Sequence, residues 1–126
     1  MSETQKSNGG TCLESTKLAQ TIVDVIADKQ GENIIMLDLR GLSIIADYFV
    51  ITSGGSERQI KAITDAVEET LKEQQIAKLR VEGAPESGWV LLDYGDVVVH
   101  VFAPPEREYY KLELAWKQAP LVVHIQ

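Results

Sequence analysis

The chain has 126 residues, 44% of them hydrophobic and 25% charged, enough for one domain with a sizeable core and too few for a second. Twelve Lys and Arg against nineteen Asp and Glu leave a formal charge of −7 with no run of basic residues, so direct nucleic-acid binding is disfavoured and a basic protein partner suits. A single cysteine, Cys12, rules out an internal disulfide framework, and no stretch approaches the roughly 20 apolar residues of a membrane span; a cytoplasmic protein without a membrane partner is expected.

Residues 1–10 are polar and read as a disordered leader, without the apolar core of a signal peptide or the arginines of a transit peptide. A helix is expected next. Thr11 and Glu14 have capping-box spacing, Leu18, Ile22, Val25 and Ile26 recur at helical intervals, and Gly31 supplies a stop. Two runs of strand length follow, Asn33 to Leu39 and Asp47 to Thr52. The link between them, Arg40 to Ala46, allows an antiparallel pair or a tight non-helical crossing. After Ser53-Gly54-Gly55-Ser56, the stripe Ile60, Ile63, Val67 and Leu71 marks a second helix that ends near Gln75.

Lys78 to Glu82 reads as a short strand, separated by the loop Gly83 to Gly88 from a hairpin. The hairpin pairs Trp89 to Tyr94 with Val97 to Phe102 across Gly95-Asp96. Pro104 and Pro105 open a last helix with Tyr109, Leu112 and Trp116 on one face. The order α-β-β-α-β-β-β-α predicts a single α/β (α+β) domain over 11–118, a mixed five-stranded sheet flanked by helices, followed by a tail, 119–126.

Few residues offer chemistry. The Ser53 to Ser56 loop stands where a helix start favours an anion, yet it lacks the Walker lysine and the dinucleotide fingerprint. It reads better as a sharp turn capped by Ser56 with Gln59 three residues on. Asp93 and Asp96 suit a metal on charge, but Asp and Gly are ordinary turn formers. His100, within an apolar run, reads as a buried hydrogen-bonded histidine, and with His124 far along the chain no zinc-ligand spacing exists. Trp89, at a strand start after a polar loop, fits an interface anchor and an aromatic lid on the core equally well.

The segments Ala46 to Gly54, Arg58-Gln59 with Ala62-Ile63, and above all Gly88 to Phe102, resemble the Iojap or ribosomal silencing factor family. So does Arg107-Glu108-Tyr109-Tyr110 with Leu112-Glu113 and Trp116. The resemblance spans about residues 13 to 117 and leaves the tail Ala119 to Gln126 outside, its Leu121-Val122-Val123 suited to a sheet edge or a dimer seam.

That resemblance implies a nucleotidyltransferase-like topology, often dimeric, without cofactor or catalytic residue. It implies binding to the large ribosomal subunit through the ribosomal protein numbered fourteen, which blocks joining of the small subunit and damps translation when nutrients are short. Trp89 then matches the family's interface tryptophan, and Asp93, Tyr94 and Asp96 match the neighbouring contact turn. The rival readings are a nucleotidyltransferase-like enzyme, for which an Asp-x-Asp pair on the strand after the Gly-Ser turn is missing, and a general dimeric adaptor.

Overall fold

In the computed structural model residues 8–126 are described, with side chains from Ser15 onward. The first helix, α1, spans Asn8–Asp28 and so begins ahead of the expected start at Thr11. The capping pair Thr11 and Glu14 and the thiol of Cys12 lie outside the described side chains, as residues 1–7 lie outside the described backbone. Ala19, Ile22, Val23 and Ile26 of α1 are fully buried, a spacing that keeps one helical face inward. The helix stops where Gln30 turns to a φ of 63° and the Gly31 N–H returns to the Ile26 carbonyl at 2.9 Å. Gly31 is needed there because a Cβ would overlap the Ile26 side chain.

Strand β1 covers Glu32–Asp38 and β2 covers Tyr48–Ser53, and the two pair antiparallel, which settles the choice left open by their short link. Helix α2, Glu57–Glu73, buries Ile60, Ile63, Thr64, Val67 and Leu71. Strand β3, Arg80–Ala84, begins two residues later than the Lys78 expected, and a single 3-10 turn at Pro85–Ser87 leads into β4, Trp89–Asp93, and β5, Val97–Phe102. The expected last helix is broken in two, α3 at Pro104–Tyr110 and α4 at Leu112–Ala115, because Lys111 takes the left-handed conformation (φ 45°). That kink turns Leu112 and Trp116 onto the sheet.

The sheet has six strands, one more than expected, in the order β3-β4-β5-β2-β1-β6. The extra strand, β6, is Leu121–Ile125 of the tail, paired antiparallel with β1 and so covering a sheet edge. Its sequence, Leu-Val-Val-His-Ile, is rich in strand-favouring residues, and pairing with β1 satisfies its backbone on one side. β2 and β5 run parallel, joined through α2 and the β3–β4 hairpin, while the other pairings are antiparallel.

The two faces of this sheet hold different residues. Against α1 and α2 lie Ile34, Met36, Tyr48, Val50, Val90, Leu92, Val97, Val99 and Val101, an almost wholly aliphatic layer. Ser15 of α1 donates to the Asp47 carboxylate at 2.9 Å, and Thr16 bonds the Tyr48 hydroxyl at 2.7 Å, fixing the helix across the sheet. The opposite face carries Ile35, Leu37, Ile51 and Phe102, roofed in part by Leu112, Trp116 and Ala119.

Candidate functional site

Strand alternation divides the β4 residues between the two faces. Val90 and Leu92 are buried toward the helices, while Trp89, Leu91 and Asp93 form a half-buried stripe on the opposite face. Trp89 is held on three sides. Its ring lies 4.9 Å from Phe102 and 4.6 Å from Tyr110, centroid to centroid, and its Nε1–H donates to His100 Nδ1 at 3.2 Å. Since an indole nitrogen only donates, that bond makes His100 Nδ1 the bare nitrogen and puts the proton on Nε2.

His100 is buried, as expected, and its burial pulls the imidazole pKa down to about 4. Among the described residues the Nε2 has no hydrogen-bond partner in its enclosed position, a cost of about 1–3 kcal/mol. Phe49 meets the imidazole edge-on at 4.6 Å and meets Trp116 at 5.7 Å, so the aromatic layer runs from Trp89 across three strands. At its border Tyr109 is 80% exposed and Tyr110 is 48% exposed, which leaves accessible rings beside the half-buried indole.

A buried cation holds that border in place. Arg107 of α3, only 7% exposed, donates to Ser53 Oγ at 2.9 Å and to the Asn33 carbonyl at 3.0 Å, and pairs with Glu113 at 3.3 Å. These bonds tie the helix carrying Tyr110 to the ends of β1 and β2. The sequence marks Arg107 as one basic residue among twelve, with nothing to flag its burial. Leu91 was legible from its parity with Trp89 and His100 from the hairpin, whereas Phe49 joins the layer through the β2–β5 pairing and Tyr110 through the docking of α3.

The four residues expected at the contact surface are not one cluster. Trp89 starts β4 and Asp93 ends it, four residues on, or about 13 Å along an extended strand. Asp93 shares the face of Trp89, but its carboxylate is engaged by the Gly95 N–H at 2.8 Å and by Arg80 Nε at 3.2 Å. Asp96 is exposed, and its carbonyl accepts from the N–H groups of Asp47 and Tyr48 at 2.7 and 3.1 Å, anchoring the turn to β2. Tyr94 departs from the expectation. By alternation it points the other way, 7% exposed in the helix-covered core, with its phenol pKa raised to about 12 by burial and by Glu68.

The remaining candidates resolve into structure. Ser56 Oγ accepts from the Gln59 N–H at 3.1 Å as the expected cap, while the Gln59 side chain accepts from the Gly55 N–H at 2.9 Å and donates to the Gln30 carbonyl at 2.8 Å. The Gly54 N–H is spent on the Phe102 carbonyl at 2.9 Å. An anion at this helix start would have to displace bonds already made. His124 pairs with the Asn33 side chain at 3.1 Å. Among the described residues no three His, Cys, Asp or Glu side chains converge on one point, and no helix is long and apolar enough to cross a membrane.

The family described as "Ribosomal silencing factor during starvation" matches residues 13–126, which takes in the tail that the sequence reading had left outside. A relative named ribosomal silencing factor from Bacillus subtilis is 48% identical over 94 residues, covering 75% of this chain and 80% of its own length. Another of that name, from Halalkalibacterium halodurans, is 44% identical over 110 residues, covering 87% and 94%. A crystal structure of a protein from Bacillus halodurans superposes with a TM-score of 0.76 at 42% identity, covering 86% of this chain and 98% of that one. With a family match from the first helix to the last strand, and relatives this similar over most of both chains, the chain belongs to the ribosomal silencing factor family.

Proposed function

We propose that the chain docks its aromatic face on the large ribosomal subunit and, by its bulk, keeps the small subunit from joining, so that translation is repressed. The family membership supports the ribosomal setting. The observation that carries the docking face is the half-buried Trp89-Leu91-Asp93 stripe, left open on a sheet whose other side is sealed by α1 and α2. Interfaces concentrate their energy in such aromatic anchors, and the acids Glu82 and Asp93 on that face, with Asp96 exposed in the turn beyond, suit a basic ribosomal protein. The protein we infer at that position is the one numbered fourteen, on the subunit interface.

In this reading Trp89 is the anchor and Asp93 and Asp96 steer the partner. Tyr94 acts from behind, its packed ring supporting the turn that presents the two acids. No bond is made or broken, and neither cofactor nor metal takes part. The nucleotidyltransferase alternative is disfavoured by the occupied N–H groups of the Gly54-Gly55 turn and by the use of Asp93 to hold its own hairpin.

The test is co-sedimentation with purified large subunits in cytoplasm-like buffer, with and without small subunits. The chain is expected to travel with large subunits and to lower the yield of joined ribosomes. Sedimentation without competition would defeat the steric mechanism. No sedimentation at all would leave the same face to another protein, as a general adaptor, and light scattering of the same samples tests the homodimer that the family resemblance implies.

A further inference from the structure

Beside the docking stripe lies a groove of about 280 Å3 lined by Glu82, Gly83, Ser87, Trp89, Leu91 and Tyr110. It falls just below the ~300–1,000 Å3 of pockets that enclose small molecules, a size suited to one inserted side chain. Two of its walls are aromatic rings 4.6 Å apart, Trp89 and Tyr110. The indole is fixed in place by its hydrogen bond to His100. Glu82 supplies a carboxylate on the same sheet face, opposite Leu91, and Asp93 follows one step along it, opposite Arg80.

Arg80 bridges these two acids, with Nη1 2.9 Å from Glu82 and Nε 3.2 Å from Asp93. Two carboxylates share one guanidinium, so the patch keeps a net charge of −1. The Arg80–Glu82 pair is open to water, both side chains being more than half exposed, and therefore holds weakly. A planar guanidinium can stack on aromatic faces while it forks onto a carboxylate, which an ammonium cannot do.

We infer that this groove is the socket for one arginine side chain of the docked partner, seated against Trp89 and Tyr110 with Glu82 as counter-ion, and that Arg80 holds that counter-ion in the free protein. The inference rests on the docking reading above and names the partner chemistry of the same face. Arg80 is thus an internal competitor. The partner must displace it from Glu82, and a partner offering lysine in place of arginine gains less from the rings.

Two measurements test the socket. In co-sedimentation with large subunits, Glu82→Gln is expected to bind about tenfold more weakly and Arg80→Ala several-fold more tightly than wild type. Lys78→Ala, which removes an equal charge from a residue paired with Glu68, should leave binding unchanged. Equal tightening by Arg80→Ala and Lys78→Ala would mean long-range charge only and would overturn the socket, as would unchanged binding by Glu82→Gln.

The second measurement needs no ribosome, so it separates failure of the socket from failure of the docking reading. The Trp89 indole N–H resonance of the free protein is followed while arginine amide or lysine amide is added. A shift with arginine amide that grows in Arg80→Ala and shrinks in Glu82→Gln supports the socket. Equal responses to the two amides, or none to either, refute it.

Discussion

The two faces of the sheet solve opposite problems with the same strands. On the helix side, residues such as Ile34, Val50, Val99 and Ile63 are fully excluded from water, and the layer is almost wholly aliphatic. On the other side Ile35, Leu37 and Ile51 are joined by the rings of Phe49, Trp89, His100 and Phe102, and the short α3 and α4 cover this face only in part, leaving Trp89, Leu91 and Asp93 half-buried. Aliphatic side chains interdigitate and gain most from full enclosure, whereas a ring with a polar edge is stable half-enclosed and still offers a large contact area. On the proposed reading, stability is concentrated on one face and recognition on the other, a division that substitutions can break or sharpen.

The largest effect is expected on the sealed face. Ile63→Ala should cost about 2–5 kcal/mol in chemical denaturation, from lost burial and the cavity left behind, while the folded fraction still binds large subunits. Loss of binding beyond the loss of folded protein would blur the division.

Next comes pH, through His100 under the aromatic face. Burial holds its folded pKa at about 4 against an ordinary 6.5. Above pH 6.5 neither the folded nor the unfolded chain carries the proton, and the group has no effect. As the pH falls from 6.5 toward 4 only the unfolded chain takes it up, so stability drops by on the order of 3 kcal/mol across that window. His100→Gln, which cannot titrate, should flatten this part of the stability profile. A slope unchanged by the substitution would place the titration elsewhere.

On the open face, Trp89→Ala is expected to weaken large-subunit binding by about 2 kcal/mol, near thirtyfold, with the far-ultraviolet dichroism of the fold retained. Unchanged affinity would leave the indole as a lid on the core. The smallest effect belongs to a residue that serves neither face: Ser56→Ala removes the α2 cap and should lower stability by about 1 kcal/mol without touching binding.

Much of this was legible from spacing. The Ile60, Ile63, Val67 and Leu71 stripe locates α2 because its period is that of a helix, and Val97 to Phe102 announces a strand buried on both sides. Alternation along β4 already separates Trp89 from Tyr94, since neighbours in a strand face opposite ways. The resemblance places Tyr94 with Asp93 and Asp96 in the turn beside Trp89, while parity along the strand turns its ring to the helix-covered face. For the tail, spacing left a sheet edge and a dimer seam open, and the pairing of Leu121–Ile125 with β1, eighty-odd residues earlier, puts it on the sheet edge as a sixth strand.

What the chain determines alone, then, are the elements whose signals are local: helix periods, the capped start of α2, the turn at Gly95, and a family match that covers nearly all of it. Tertiary structure decides which strand meets which, and with that the breadth of the aromatic face. His100 and Phe102 reach Trp89 across the β4–β5 hairpin, Phe49 extends the layer beyond His100 because β2 and β5 pair in parallel, and Tyr110 closes on the indole from α3, which Arg107 ties to β1 and β2. Local preferences act over a few residues, whereas strand order and the burial of a charge depend on partners far along the chain that only the finished fold supplies.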